Sequence, residues 1–155
     1  MKLLTRLLPV LAVAAVAIIG SVVTAGTLQT GWYQALPRPS WQPPNSAFGP
    51  VWTALYIGIA IAGVRAFHRA RRNPPAVVLW VAQLVLNLAW TLAFFGAQSV
   101  GGALVVIVAL WVTILGFAGT EWRTDRVAAL FFVPYLAWVT FAAALNAAIW
   151  AALQA

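Results

Sequence analysis

The sequence predicts an all-α protein, a single domain of residues 1–155 folded as a five-helix transmembrane bundle. Three observations carry that prediction. The chain is 64% hydrophobic and only 7% charged, whereas a soluble domain carries about 25% charge. Its apolar residues fall into five long runs, each near the ~20 residues a helix needs to cross a bilayer. Its cations gather in alternate connections, the asymmetry that sets membrane topology.

The first run covers 7–28 and follows Lys2 and Arg6. A charged start, an apolar core and small residues near Ala25 also describe a cleaved signal peptide. This run is longer than the ~7–15 residues of such a core, so a retained helix is expected. The second run is 47–66, the third 76–97, the fourth 99–119 and the fifth 127–153. The third and fourth are joined by almost nothing and must form an antiparallel hairpin. Asn45 or Ser46 can cap the second helix, with Pro50 in or beside its first turn. Pro134 lies inside the fifth span and should kink it.

With five spans, Lys2, Arg6, Arg65, Arg69, Arg71, Arg72, Arg123 and Arg126 share one side, and Arg38 stands alone on the other. This places the N-terminus in the cytoplasm and the C-terminus outside, in an inner or plasma membrane. Four spans would keep the same orientation, so the count does not exclude cleavage of the first. The net charge of +7 is thereby a topology signal, and no nucleic-acid partner is expected.

The first loop, 29–46, contains Pro37, Pro39, Pro43 and Pro44 with Trp32, Tyr33 and Trp41. The prolines disfavour a regular helix. The aromatics either form an interfacial belt or belong to a semi-rigid lid over a cavity among the helices.

Helical spacing sorts the interior side chains. Gln83, Asn87 and Trp90 follow i, i+4, i+7 and share a face. Amides at membrane depth should point into the bundle, as interhelical bonds or as ligand contacts. Trp52 and Tyr56 form a second stripe, continued by Ala60 and Gly63. Trp138, Ala142 and Asn146 form a third. Aromatic residues followed by small ones leave a slot of the kind small molecules fill; the same small residues also permit close helix approach. Ala17, Ser21 and Ala25 in the first span, and Gly58 and Ala62 in the second, are such packing patterns. The fourth span has Trp111 among apolar neighbours and is a candidate for lipid or dimer contact.

Several chemistries are excluded. The chain has no cysteine, hence no thiol nucleophile or thiolate metal site. His68 is the single histidine, set among arginines. It cannot make a zinc or non-haem iron site alone, though it could be one axial haem ligand. No metal site is expected. Glu121 and Asp125 are the two acids, and their spacing beside Arg123 and Arg126 reads as a surface ion-pair cluster. Apart from Arg65 at the very end of the second span, the spans hold no ionisable group but Tyr56 and Tyr135, so ion-coupled transport has no residues at membrane depth to run on.

Read together, the motifs are similar to a known family. They are Trp32-Tyr33, Pro39-Ser40-Trp41-Gln42-Pro43-Pro44, and Val51-Trp52-Thr53-Ala54-Leu55-Tyr56. Gln83-Leu84-Val85-Leu86-Asn87-Leu88-Ala89-Trp90 follows, with Phe94-Phe95-Gly96. Phe132-Val133-Pro134-Tyr135-Leu136-Ala137-Trp138 and Leu145-Asn146 complete the set. The chain resembles the TspO/MBR family, the tryptophan-rich sensory proteins related to the mitochondrial translocator protein, from about Gly26 to Trp150. The resemblance implies a five-helix bundle, commonly dimeric, with a ligand pocket beneath the first loop. It implies binding of tetrapyrroles such as protoporphyrin IX and haem, and of synthetic isoquinoline carboxamides and benzodiazepines. Trp52 and Trp138 match two pocket tryptophans tied to light-dependent porphyrin breakdown in some bacterial members. Asn87 and Ala142 match pocket-lining positions; Trp32, Tyr33 and Trp41 match the lid. The sterol motif of animal members is broken, because Ala147-Ala148-Ile149-Trp150-Ala151 follows Asn146 without its Tyr and Arg.

The expected function is therefore porphyrin or tetrapyrrole binding in an intra-bundle pocket, modulating tetrapyrrole handling or a stress response in a bacterial inner or plasma membrane. No cofactor is required; porphyrin or haem is the ligand, and membrane lipids and a second copy are the other partners. The binding residues expected from spacing and resemblance are Trp32, Tyr33, Trp41, Trp52, Tyr56, Asn87, Trp90, Trp138, Ala142 and Asn146, with Arg38 a candidate partner for a propionate. The alternatives are an enzyme degrading protoporphyrin in light, with Trp52 and Trp138 catalytic, and a facilitated transporter of porphyrin or other apolar solutes.

Overall fold

The computed structural model describes residues 3–155, so Lys2 lies outside the described residues. Among the described residues, five helices are long and apolar enough to cross a membrane. They are α1 (Leu4–Gln29), α3 (Phe48–His68), α4 (Pro74–Thr91), α5 (Val100–Trp122) and α6 (Arg126–Gln154); a short α2 (Trp32–Ala35) lies in the first loop. The boundaries agree with the apolar runs to within a few residues, except that the third run continues past Thr91 through the turn Leu92–Gly96.

Around the bundle, α1 packs on α3 and α4, α3 on α6, α6 on α5, and α5 on α4, which closes the ring. Across the ring α3 meets α4 at Gly63. A Cβ added there would come within 2.4 Å of the Trp80 ring, so glycine is what lets this buried indole sit against α3. Trp80 then donates its N–H to the Ile59 carbonyl at 2.9 Å. Lipid offers no hydrophobic drive between helices, so close packing and interhelical hydrogen bonds hold such a bundle.

Two local expectations differ from the structure. Asn45 and Ser46 do not cap the second long helix; Asn45–Ala47 form a 3-10 turn, and Ala47 precedes α3 without a side-chain cap. The first loop does contain a helical turn, α2, because Trp32–Ala35 precede the first of the prolines. Gly31 (φ 77°) supplies the left-handed residue that reverses the chain after α1. Along α6 the helix runs unbroken through Pro134.

The expected surface ion-pair cluster is also corrected. Glu121 is fully buried, and its Oε1 accepts from Asn73 Nδ2 at 3.2 Å. Asp125 pairs not with Arg123 or Arg126 but with α3. It accepts from Arg65 Nε and Nη2 at 2.8 and 2.9 Å, and from Arg69. It also caps α6, accepting from the Val127 and Ala128 N–H groups at 3.2 and 3.3 Å. The physical reason is position: the α5–α6 turn lies directly against the last turns of α3, so its acids meet those arginines first. Burial would raise the Asp125 carboxyl. The hydrogen bonds from Arg65 and Arg69 outweigh it and hold the group below its ordinary value.

Candidate functional site

At the loop end of the bundle a cavity of about 500 Å³ lies between α1, α3, α4 and α6. That volume falls within the ~300–1,000 Å³ typical of small-molecule pockets. Its walls are aromatic. Trp52 and Tyr56 come from α3, one turn apart, with ring centroids 5.4 Å apart. Trp90 comes from the end of α4 and stacks on Phe94 at 5.5 Å. Tyr33 reaches in from α2, and Ala142 and Asn146 face it from α6.

A π-helical turn at Leu92–Gly96 shapes one wall. The wider turn brings Phe94 and Phe95, adjacent in sequence, both onto the cavity. Thr27 of α1 donates its hydroxyl to the Phe95 carbonyl at 2.8 Å, which ties this turn to α1. Such insertions are frequent at functional sites.

Apart from Leu28, the α1 wall is made of small residues. Ala17, Gly20, Ser21, Thr24 and Ala25 line the space. Ser21 and Ala25 on α1, with Gly49 and Thr53 on α3, line it and are exposed. The cavity therefore opens sideways between these two helices.

Polar atoms near the cavity are largely occupied. Thr53 and Thr91 donate to the Gly49 and Asn87 carbonyls. Asn146 Oδ1 accepts the Trp90 indole N–H at 3.1 Å, and its Nδ2 donates to the Val100 carbonyl at 2.9 Å. Among the described residues, no carboxylate, imidazole or guanidinium lines the walls. Burial pushes the Tyr33 phenol above its ordinary value, against the smaller opposing effects of the Gln42 hydrogen bond and the Arg38 charge, so it stays neutral. The arrangement can hold a flat apolar body by stacking and area burial; the titratable groups on its wall, among the described residues, are the phenols of Tyr33 and Tyr56.

Six of the residues singled out by sequence line the cavity: Tyr33, Trp52, Tyr56, Trp90, Ala142 and Asn146. Five do not. Asn87 is buried with both ends taken, by the hydroxyls of Tyr56 and Tyr135. Trp138 packs against Phe48 and Phe141 at 5.6 and 5.4 Å. Its buried indole N–H has no partner among the described residues. Trp32 meets Phe94 edge-on, and Trp41 meets Phe141 from the exposed surface. Arg38 sits over the Tyr33 ring at 5.6 Å. Of the first-loop side chains, then, Tyr33 enters the cavity together with Asn45. Sequence reasoning missed the α1 wall, Phe48, Thr91, Phe94 and Phe95.

Comparison with known proteins agrees with this architecture. The model of the TspO/MBR family matches residues 9–151. The chain belongs to the TspO/MBR family. Among relatives of this family, the tryptophan-rich protein TspO of Archaeoglobus fulgidus is 38% identical over 151 residues, covering 97% of each chain. Protein CrtK of Rhodobacter capsulatus is 39% identical over 122 residues, 77% of this chain and 76% of that one. The translocator protein of Sus scrofa is 37% identical over 123 residues, 77% and 73% of the two chains. As a TspO/MBR protein with five apolar helices, this is an integral membrane protein.

Proposed function

We propose that this protein binds porphyrins in the cavity between α1, α3, α4 and α6, and that through this binding it modulates tetrapyrrole handling or a stress response. The observation that carries the reading is a cavity of about 500 Å³ walled by Trp52, Trp90, Tyr33, Tyr56, Phe94 and Phe95, with no charged side chain on the wall among the described residues. A porphyrin macrocycle is flat and apolar, and indole and phenyl faces give it stacking area. The free-base macrocycle suits the walls better than iron coordination does. The chain's one imidazole, His68, is exposed at the far end of α3, and among the described residues no thioether or thiolate lines the cavity. Binding stands ahead of photochemical breakdown by a tryptophan pair, because Trp52 lines the cavity and Trp138 does not.

In this reading the arginine end faces the cytoplasm and the first loop faces outward, in a bacterial inner or plasma membrane, as the distribution of cations favours. The α5 face carrying Val105, Val108 and Val112 is exposed and serves a second copy or lipid.

The test is titration of the purified protein in detergent with protoporphyrin IX, followed by quenching of tryptophan fluorescence. Saturable quenching is expected, weakened about tenfold by Trp52→Ala, the size of one lost aromatic contact with its area. Quenching no stronger than in protein-free micelles with free tryptophan, or unchanged affinity in Trp52→Ala, would overturn the reading.

A further inference from the structure

Beside the aromatic cavity, the first loop carries a second hollow, shallow and polar. Leu36, Arg38, Pro39, Gln42, Pro44 and Asn45 line it. The two spaces share a border. Asn45 lines both. Tyr33 joins them as well: its ring lines the cavity, and its hydroxyl accepts from Gln42 Nε2 at 3.1 Å on the wall of the hollow.

The chemistry changes across that border. The cavity wall is aromatic and uncharged. The hollow holds Arg38, the single cation among residues 29–46. Its guanidinium lies 5.6 Å over the Tyr33 ring, and it forms no ion pair among the described residues. Gln42 Oε1 is buried and has no hydrogen-bond partner among the described residues. A phenol both donates and accepts, so the Gln42 amide can bond Tyr33 in either orientation. Turned end for end, its Oε1 takes the Tyr33 proton and its Nε2 becomes a free donor beside Arg38.

We propose that this hollow is an anion subsite: it receives a carboxylate on the edge of a flat ligand whose apolar body occupies the cavity. Arg38 supplies the counter-charge, and the amides of Gln42 and Asn45 supply further donors. The site thereby selects amphiphiles with an acid edge over neutral discs of the same shape. This rests on the porphyrin reading of the cavity.

The experiment compares protoporphyrin IX with its dimethyl ester by fluorescence titration in neutral detergent, on wild type, Arg38→Gln and Arg38→Lys. Wild type is expected to prefer the acid about two- to fivefold, the range for an exposed ion pair, with the preference shrinking as salt is raised. Arg38→Gln should lose the preference while keeping its affinity for the ester, and Arg38→Lys should retain most of it. Equal affinity of wild type for acid and ester, or a preference untouched by Arg38→Gln, would overturn the subsite and leave porphyrin binding standing. Failure of wild type to bind either compound would instead remove the porphyrin reading, and the subsite with it.

Discussion

Tyr56 donates its hydroxyl to Asn87 Oδ1 at 3.0 Å, and Asn87 Nδ2 donates to the Tyr135 hydroxyl at 2.9 Å. One amide thus fastens α3, α4 and α6 beside the cavity without lining it. Asn87→Leu should destabilise the protein by about 2 kcal/mol, because Tyr135 is fully buried and its hydroxyl would lose its partner. Thermal unfolding in detergent measures this, and adding Tyr135→Phe should recover part of the loss. Porphyrin affinity of the folded variant should stay within about threefold of wild type, a change below one hydrogen bond. A tenfold loss of affinity at unchanged stability would make Asn87 a ligand contact instead.

Thr27 governs the π turn. Thr27→Val keeps the shape and removes the hydroxyl that the Phe95 carbonyl accepts from. The expected cost is about 1 kcal/mol in stability. Phe94 and Phe95 line the cavity, so a lower porphyrin affinity should accompany it. Thr27→Ser should restore both. Valine matching wild type in both measurements would show the turn to be held by packing alone.

At the opposite end, Asp125 performs two tasks that substitutions can separate. Asparagine caps helices as well as aspartate does, so Asp125→Asn removes the ion pairs with Arg65 and Arg69 and keeps the cap. Asp125→Ala removes both, at about 1 kcal/mol more. Because the folded carboxyl is held below its ordinary value, its contribution is fully present above the unfolded value of ~3.9. It is lost as pH falls through the lower folded value. Unfolding curves below about pH 4 should show wild type losing stability that Asp125→Asn never had.

Gly63→Ala should be costly although alanine is the better helix former. The added methyl would meet the Trp80 ring at 2.4 Å. Displacing that indole also strains its hydrogen bond to the Ile59 carbonyl. A loss of about 1–3 kcal/mol is expected from overpacking, measured as a lowered unfolding midpoint. A neutral outcome would mean the α3–α4 contact is looser than the geometry requires.

The helices were legible because a bilayer demands long uninterrupted apolar runs, and 7–28, 47–66, 76–97, 99–119 and 127–153 each supply one. Helical period puts Trp52 with Tyr56, and Ala142 with Asn146, on shared faces, and all four line the cavity. It could not rank the residues within a stripe. Asn87 and Trp90 share a face, yet Asn87 meets phenols from α3 and α6 while Trp90 meets open space. Trp138 shares a face with Ala142, yet its ring turns toward Phe48 and Phe141. Small residues permit both close packing and empty volume, so Ala17, Ser21 and Ala25 read as a packing seam and proved to be a cavity wall. The π turn left no mark in the sequence, because the hydroxyl bonded to it comes from Thr27, 68 residues before Phe95.

The sideways gap framed by Ser21, Ala25, Gly49 and Thr53 has a consequence for any guest of this cavity. A guest that enters through this gap comes from hydrocarbon rather than water. Occupancy then follows how much guest the surrounding bilayer has dissolved, so diluting the protein with extra lipid lowers saturation at a fixed total dose, even though no contact in the cavity has changed.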